Sequence, residues 1–319
     1  MTDVILLVGH GSREQNGNAE IEEFARQWRA RRPRWLIQVC FIEFADVLLD
    51  EGLERAARSG HRVIVVPLIL NAAGHVKMEI PQHIAEARSR HPLVRFAYTP
   101  HLGAGDPILR ILKRRLQQGM AVLDMPDPCT TGVVLLGRGA SDRMANGDVA
   151  KMARWLQEDG RHELVDIAFT GITYPRLERV VQRQVLLGMT QIVVLPYYLF
   201  TGTLIERIRR QVEHLRLQYP RVRFASGEYF GFEEEIFQLL EANVESALRG
   251  EPEKLMPCDG CKYREVAEQH GHGHSHDHAF GHLPDHSPDH ESVKIQLHAH
   301  PHDHDHDHSH DHSHDHAHA

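Results

Sequence analysis

The chain has 319 residues, 25% of them charged and 41% hydrophobic, with a formal net charge of −8; that length suits two domains of ordinary size. No apolar run approaches the roughly 18 residues that span a bilayer, and no charged-then-apolar leader opens the sequence, so a cytoplasmic protein without a membrane partner is expected. Nine of the 44 acidic residues but only one of the 36 basic ones lie from His270 onward, which leaves a neutral body of 35 each; such a balance gives no electrostatic argument for nucleic acid, which would need a basic stripe.

The chain opens with Val4 to Val8, an apolar run broken by Gly9-His10-Gly11-Ser12-Arg13. Such a run reads as a buried parallel strand that delivers His10 at its carboxyl end. Asn18 is expected to cap a helix with Ile21, Phe24, Ala25 and Trp28 on one face, ending before Pro33. Leu36 to Phe44 reads as a second strand carrying Glu43 near its end. Asp46 is expected to cap a helix running through Arg58 and stopped by Gly60. Arg62 to Leu70 reads as a third strand, ending in Asn71-Ala72-Ala73-Gly74-His75, and Pro81 suits the first turn of a helix reaching Ser89. A strand from Val94 to Tyr98 and a helix from Pro107 to Leu116 complete a unit in which strands and helices alternate, the pattern of a parallel α/β sheet.

Ala121 to Thr131, with Pro126 and Pro128, reads as a linker. The pattern then begins again. Gly132 to Gly139 restates Leu6 to Gly11, Asp166 to Phe169 restates Gln38 to Phe41, Gln191 to Pro196 restates Arg62 to Pro67, and Tyr219 to Ala225 restates His91 to Ala97. Four matches in one order at a nearly constant offset mark an internal duplication. The expected organisation is two tandem flavodoxin-like α/β domains, 1–120 and 132–250, joined by 121–131. A Met256-Pro-Cys258-Asp-Gly-Cys261 segment follows (251–269), and then a His/Asp-rich tail (270–319) too polar to bury a core and expected to be disordered.

The duplication separates residues that recur from residues that do not. His10 faces Arg138, Glu43 faces Gly171, and His75 faces Leu204 when Pro67 is aligned with Pro196. A group needed only for folding is expected in both copies, whereas a single active site needs its reactive groups once. Two imidazoles and a carboxylate at neighbouring strand ends suit a borderline divalent cation rather than Mg²⁺ or Ca²⁺, and histidine also accepts protons near neutral pH. No phosphate-cradling glycine motif follows the first strand, and Gly9-His10-Gly11-Ser12-Arg13 is not a serine-nucleophile elbow, so neither nucleotide binding nor acyl transfer is supported.

The Gly9-His10-Gly11-Ser12-Arg13 opening, Glu43, Pro67 with Ala73-Gly74-His75, and the degenerate second copy resemble the class II chelatases of tetrapyrrole synthesis. With the Met-x-Cys-x-x-Cys segment and the histidine-rich tail, the whole chain is similar to the long two-domain form of the sirohydrochlorin cobaltochelatases. The resemblance implies a cleft between the halves that takes sirohydrochlorin and Co²⁺. It implies that His10, Glu43 and His75 bind the metal and assist its insertion, with the acceptor of the pyrrole protons left open. The macrocycle is rich in carboxylates, so Arg13, Lys77, Arg138 and Arg207, just beyond strand ends, are candidates to hold it. Cys258 and Cys261 are implied ligands of an iron–sulfur cluster, although a cluster usually takes four thiolates; Cys40 reads as core and Cys129 as linker. The tail reads as a metal reservoir. Iron insertion towards siroheme, and a nickel or cobalt storage protein or metallochaperone, are the other readings, and a fused pair of halves suits a monomer.

Overall fold

The computed structural model describes residues 2–71 and 73–250, without the side chains of His75 and Val76. The expected Met-x-Cys-x-x-Cys segment and the histidine-rich tail lie outside the described residues.

The first half runs β1 (Asp3–Gly9), α1 (Gln15–Arg31), β2 (Leu36–Phe41), α2 (Leu49–Ser59), β3 (Arg62–Pro67), α3 (Gly74–Arg90), β4 (Arg95–Tyr98) and α4 (Asp106–Ala121). The second repeats it as β5 (Thr131–Gly137), α5 (Arg143–Asp159), β6 (Val165–Phe169), α6 (Leu177–Leu186), β7 (Gln191–Pro196), α7 (Thr203–Gln218), β8 (Arg223–Ser226) and α8 (Glu234–Leu248). Each half forms a four-stranded parallel sheet, in the orders β2-β1-β3-β4 and β6-β5-β7-β8. This is the flavodoxin-like strand order without its fifth strand. The central strands are apolar on both faces because both faces are covered: Val4 to Val8 and Val133 to Leu136 are buried.

Side chains of alternate parity divide the interior into three apolar layers. Val4, Leu6 and Val8 pack with α2 and α3, and Val134 and Leu136 pack with α6 and α7. Ile5, Leu7, Val133 and Leu135 face a shared middle layer built from α1, α4, α5 and α8. In that layer the last helix of each half is exchanged. Helix α4 lies on β7 and β8 of the second sheet, and α8 lies on β3 of the first. A Cβ at Gly119 of α4 would stand 2.7 Å from Val193 Cγ1, so the glycine lets this helix approach the other half's sheet.

Several local expectations change. Helix α1 starts three residues before Asn18, whose side chain is used elsewhere, and α2 starts after Leu48 with no side-chain cap, so neither Asn18 nor Asp46 is a cap. Strand β3 stops at Pro67, and α3 runs from Gly74 with Pro81 in its interior instead of its first turn. Proline there removes one bond, to the Lys77 carbonyl; the helix continues because Ile80 and Ile84 on either side are buried against the sheet.

Candidate active site

In a sheet of this order the crossovers leave β1 towards β2 on one side and β3 on the other, opening a crevice at the carboxyl ends of the strands. His10 is the first residue beyond β1 and Glu43 the second beyond β2. Their positions are set by backbone pairing that continues past the strands. Ile42 N–H donates to the Gly9 carbonyl at 3.0 Å, Glu43 N–H to the His10 carbonyl at 3.1 Å, and Leu68 N–H to the Val8 carbonyl at 2.8 Å.

Gly11 explains the second glycine of the motif. It sits at φ +91°, and a Cβ there would lie 1.7 Å from the Glu43 carbonyl oxygen, so backbone rests on backbone. Asn18 fastens the two loops together: its amide donates to the carbonyls of Ser12 and Phe44 at 3.1 and 2.7 Å, and its oxygen accepts from Ser12 N–H at 2.8 Å. The second half keeps this frame, with Gly139 at φ +84° and Asn146 bonded to both backbone groups of Ala140.

The frame holds one imidazole in one tautomer. His10 Nδ1 lies 3.3 Å from the Gly11 carbonyl and 3.4 Å from Glu43 Oε1, two acceptors. Nε2 lies 3.4 Å from Nη1 of Arg138, the residue that replaces His10 in the second half. A guanidinium can only donate, so Nδ1 carries the proton and the Nε2 lone pair points across to the other half. A third of the His10 side chain and two fifths of Glu43 remain exposed, which leaves room for a ligand.

The other expected site residues are placed as follows. His75 is the second residue of α3, in its first turn, eight residues past the end of β3 and not at the strand end itself. Arg13 lies beside the site with its guanidinium 4.7 Å over the Phe44 ring. Arg207, on α7, and Arg138 both act on Tyr198, whose hydroxyl meets Thr170 Oγ1 at 2.7 Å and is pushed up to about 12 by burial against the pull of those charges. Lys77 is a correction: its ammonium is buried and paired at 2.5 Å with Asp142, so it is a bond across the seam and not a cation on the rim. Among the described cysteines, Cys40 is sealed in the core, where burial raises its thiol far above the usual range, and Cys129 is exposed between the halves. Neither is disulfide-bonded, and Cys258 and Cys261, the expected cluster ligands, lie outside the described residues.

Sequence patterns missed the apolar rim. Phe44 (φ +52°) and Ile172 (φ +59°), equivalent residues next to Glu43 and Gly171, are both exposed, as is Tyr174. A β-branched residue with positive φ is a costly conformation. The missed signal was an apolar residue recurring at a loop position in both copies. Asp50, His83 and Glu86 form another group of potential ligands within 4.8 Å, but they are held as an ion-pair network by Arg90, 3.8 Å from Asp50 and 3.9 Å from Glu86.

Comparison with known proteins agrees with the duplicated frame. The CbiX family matches residues 4–119 and again 132–247. The chain belongs to the CbiX family. The two CbiX matches run from β1 into α4 and from β5 into α8, one copy per sheet. This CbiX chain is 38% identical over 269 residues to the sirohydrochlorin cobaltochelatase of Priestia megaterium, covering 83% of the chain and 86% of that relative. It is 32% identical over 235 residues to the sirohydrochlorin ferrochelatase of Bacillus subtilis (strain 168), covering 73% and 87%. Among solved structures, the sirohydrochlorin chelatase SirB from Bacillus subtilis subspecies spizizenii in complex with cobalt superposes with a TM-score of 0.64 at 28% identity, over 79% of this chain and 97% of that one. No helix among the described residues is long and apolar enough to cross a membrane.

Proposed function

We propose that this CbiX chain inserts Co²⁺ into sirohydrochlorin. The observation that carries the proposal is the oriented lone pair of His10: Nδ1 faces Glu43 and the Gly11 carbonyl, and Nε2 is turned towards Arg138 of the second half. Insertion requires stripping water from the ion, bending the ring so that its nitrogens face the metal, and removing two pyrrole protons. A few exchangeable ligands serve this better than a closed four-ligand site, which would retain the ion.

His10 Nε2 binds the incoming ion, and His75 supplies a second imidazole from the start of α3. Glu43 orients His10, the carboxylate–histidine arrangement common around catalytic metals, and serves as a further ligand; the acceptor of the pyrrole protons is His10 or Glu43. Phe44 and Ile172 offer apolar surface to the flat macrocycle, and Arg13, Arg138 and Arg207 offer guanidinium groups to its carboxylates. Cobalt is favoured by the 38% identity to the Priestia megaterium cobaltochelatase, since imidazole and carboxylate ligands by themselves follow the Irving–Williams order. Iron is the second reading, supported by the 32% identity to a ferrochelatase.

The test is an absorbance assay of the full chain with sirohydrochlorin and either Co²⁺ or anaerobic Fe²⁺ at equal free concentration. Faster spectral change with Co²⁺, lost in a folded His10→Ala variant, is expected. No change with either metal, or a wild-type rate in His10→Ala, would sink the proposal; a faster rate with Fe²⁺ would reassign the metal.

A further inference from the structure

We infer that Arg138 covers the metal-binding lone pair of His10 and is drawn off it by a carboxylate of the macrocycle, so that the chain takes its anionic substrate first and its metal second. The inference rests on the functional reading above and adds an order of events to it.

The geometry starts from the duplication. Arg138 occupies the position in the second half that His10 occupies in the first, at the end of the equivalent central strand. Each follows its strand by one residue, and the two side chains meet across the cleft, Nη1 to Nε2 at 3.4 Å. With Nδ1 facing the Gly11 carbonyl and Glu43, Nε2 offers the one lone pair of the ring, and the guanidinium lies on it. A metal ion and a guanidinium cannot share that lone pair, and both are cations, so binding at His10 requires Arg138 to leave.

Arg138 has an alternative place to go. No carboxylate pairs with it among the described residues, so the contact with a neutral imidazole is a weak one that an anion outcompetes. Its charge and that of Arg207 both reach the Tyr198 hydroxyl, which Thr170 holds at 2.7 Å on the second half. Two guanidinium groups on that side suit a carboxylate. Macrocycle binding then moves Arg138 onto the carboxylate and bares Nε2 at the moment when a pyrrole acceptor is present. The device keeps free metal from occupying His10 in the empty enzyme.

The test reads His10 by residue, because the histidines of the tail also bind metal. Diethyl pyrocarbonate acylates an imidazole at a free lone pair, and peptide mass spectrometry reports its yield at His10 of the full chain, with free Co²⁺ set by a chelator buffer and no macrocycle. The Co²⁺ concentration that half-protects His10 is expected to fall about three- to tenfold in Arg138→Leu, the size of effect for removing an exposed like charge. Arg138→Lys, which keeps the charge, should stay near wild type, and the KM for sirohydrochlorin should rise in Arg138→Leu. A half-protecting concentration that is unchanged or higher in Arg138→Leu overturns the inference while leaving the chelatase reading intact. Failure of Co²⁺ to protect His10 in all three chains, Arg138→Leu included, overturns His10 as metal ligand, and with it both.

Discussion

Lys77 of α3 and Asp142, the cap of α5, meet at 2.5 Å across the seam between the halves, each side chain about nine-tenths buried. Asp142 also accepts from Met144 N–H at 2.8 Å. Burial lifts its carboxyl, but the hydrogen bond from Lys77 and the backbone N–H groups of Met144 and Ala145 outweigh that and hold it below the usual range. A carboxyl with a depressed folded value stabilises above its unfolded value, near pH 4, and loses that contribution as pH falls through the folded one. Lys77→Met leaves Asp142 buried without its cation and is expected to cost about 3 kcal/mol. Asp142→Asn keeps a capping oxygen but strands the lysine. Urea denaturation of both singles and the double should show the double costing less than the sum; simple additivity would mean that the pair is not coupled.

His101 gives a second, separable pH effect. It is largely buried, its Nδ1 has no hydrogen-bond partner among the described residues, and burial together with the charge of Lys77 lowers it to about 4. Here the fold keeps the neutral form. As pH falls from about 6.5 the unfolded chain takes up a proton that the folded chain refuses until about 4, so stability drains across that window, by roughly 3 kcal/mol in all. His101→Gln removes the titration. The difference in unfolding free energy between pH 7 and pH 4.5 should therefore be smaller in the variant by about 2 to 3 kcal/mol; equal differences in the two chains would show that His101 titrates normally.

Gly11 ties the fold to the site more directly than any other backbone position. Its φ of +91° and the 1.7 Å approach of a Cβ to the Glu43 carbonyl mean that alanine must push the β2 loop away from the β1 loop. Gly139, at φ +84°, has a looser approach of 2.5 Å to the Gly171 carbonyl. Both alanine variants should lower Tm. Gly11→Ala alone separates His10 from Glu43, and a displacement near 1 Å at a reacting group costs about 100-fold in kcat. Gly139→Ala should instead act on KM for sirohydrochlorin, through Arg138. Equal losses of kcat in the two variants would mean that the His10–Glu43 spacing is not what matters.

Sequence alone went a long way where the signal is local. The buried strands, the order of the elements and the duplication follow from apolar runs and glycine positions, and the alignment of His75 with Leu204 agrees with the starts of α3 at Gly74 and α7 at Thr203. What stayed hidden depends on partners distant in sequence. The amphipathic face of α4 does not say which sheet it covers. Lys77 reads as a surface charge until Asp142, 65 residues away, is brought to it. Asn18 has the residue type of a cap, yet it serves two loops, one of them 26 residues on. The tautomer of His10 is set by a carbonyl, a carboxylate and a guanidinium from three different loops, which no periodicity encodes.

The exchanged helices make the two halves interdependent. Phe24 of α1 stacks on Phe237 of α8 with ring centroids 4.1 Å apart and planes within 2°, and Phe200 and Phe232 pack against the same ring. Without the second half, the inner face of β3 loses α8, and α4 loses β7 and β8. A chain ending at Met125 therefore cannot bury its middle layer alone. Helix α4 is the duplicate of α8, with Gly119 aligned on Ala247, so α4 of one copy has the shape to take the place of α8 on a second copy. Residues 1–125 are expected to associate as a two-fold dimer that swaps α4, with two His10–Glu43 sets and no Arg138. Sedimentation equilibrium and dilution-dependent unfolding would report this. In the full chain Phe24→Ala should cost about 3 to 5 kcal/mol, because it empties the contact that joins α1 to α8. A shortened chain that is monomeric and unfolds cooperatively at all concentrations would show that the exchange is not required for either half to fold.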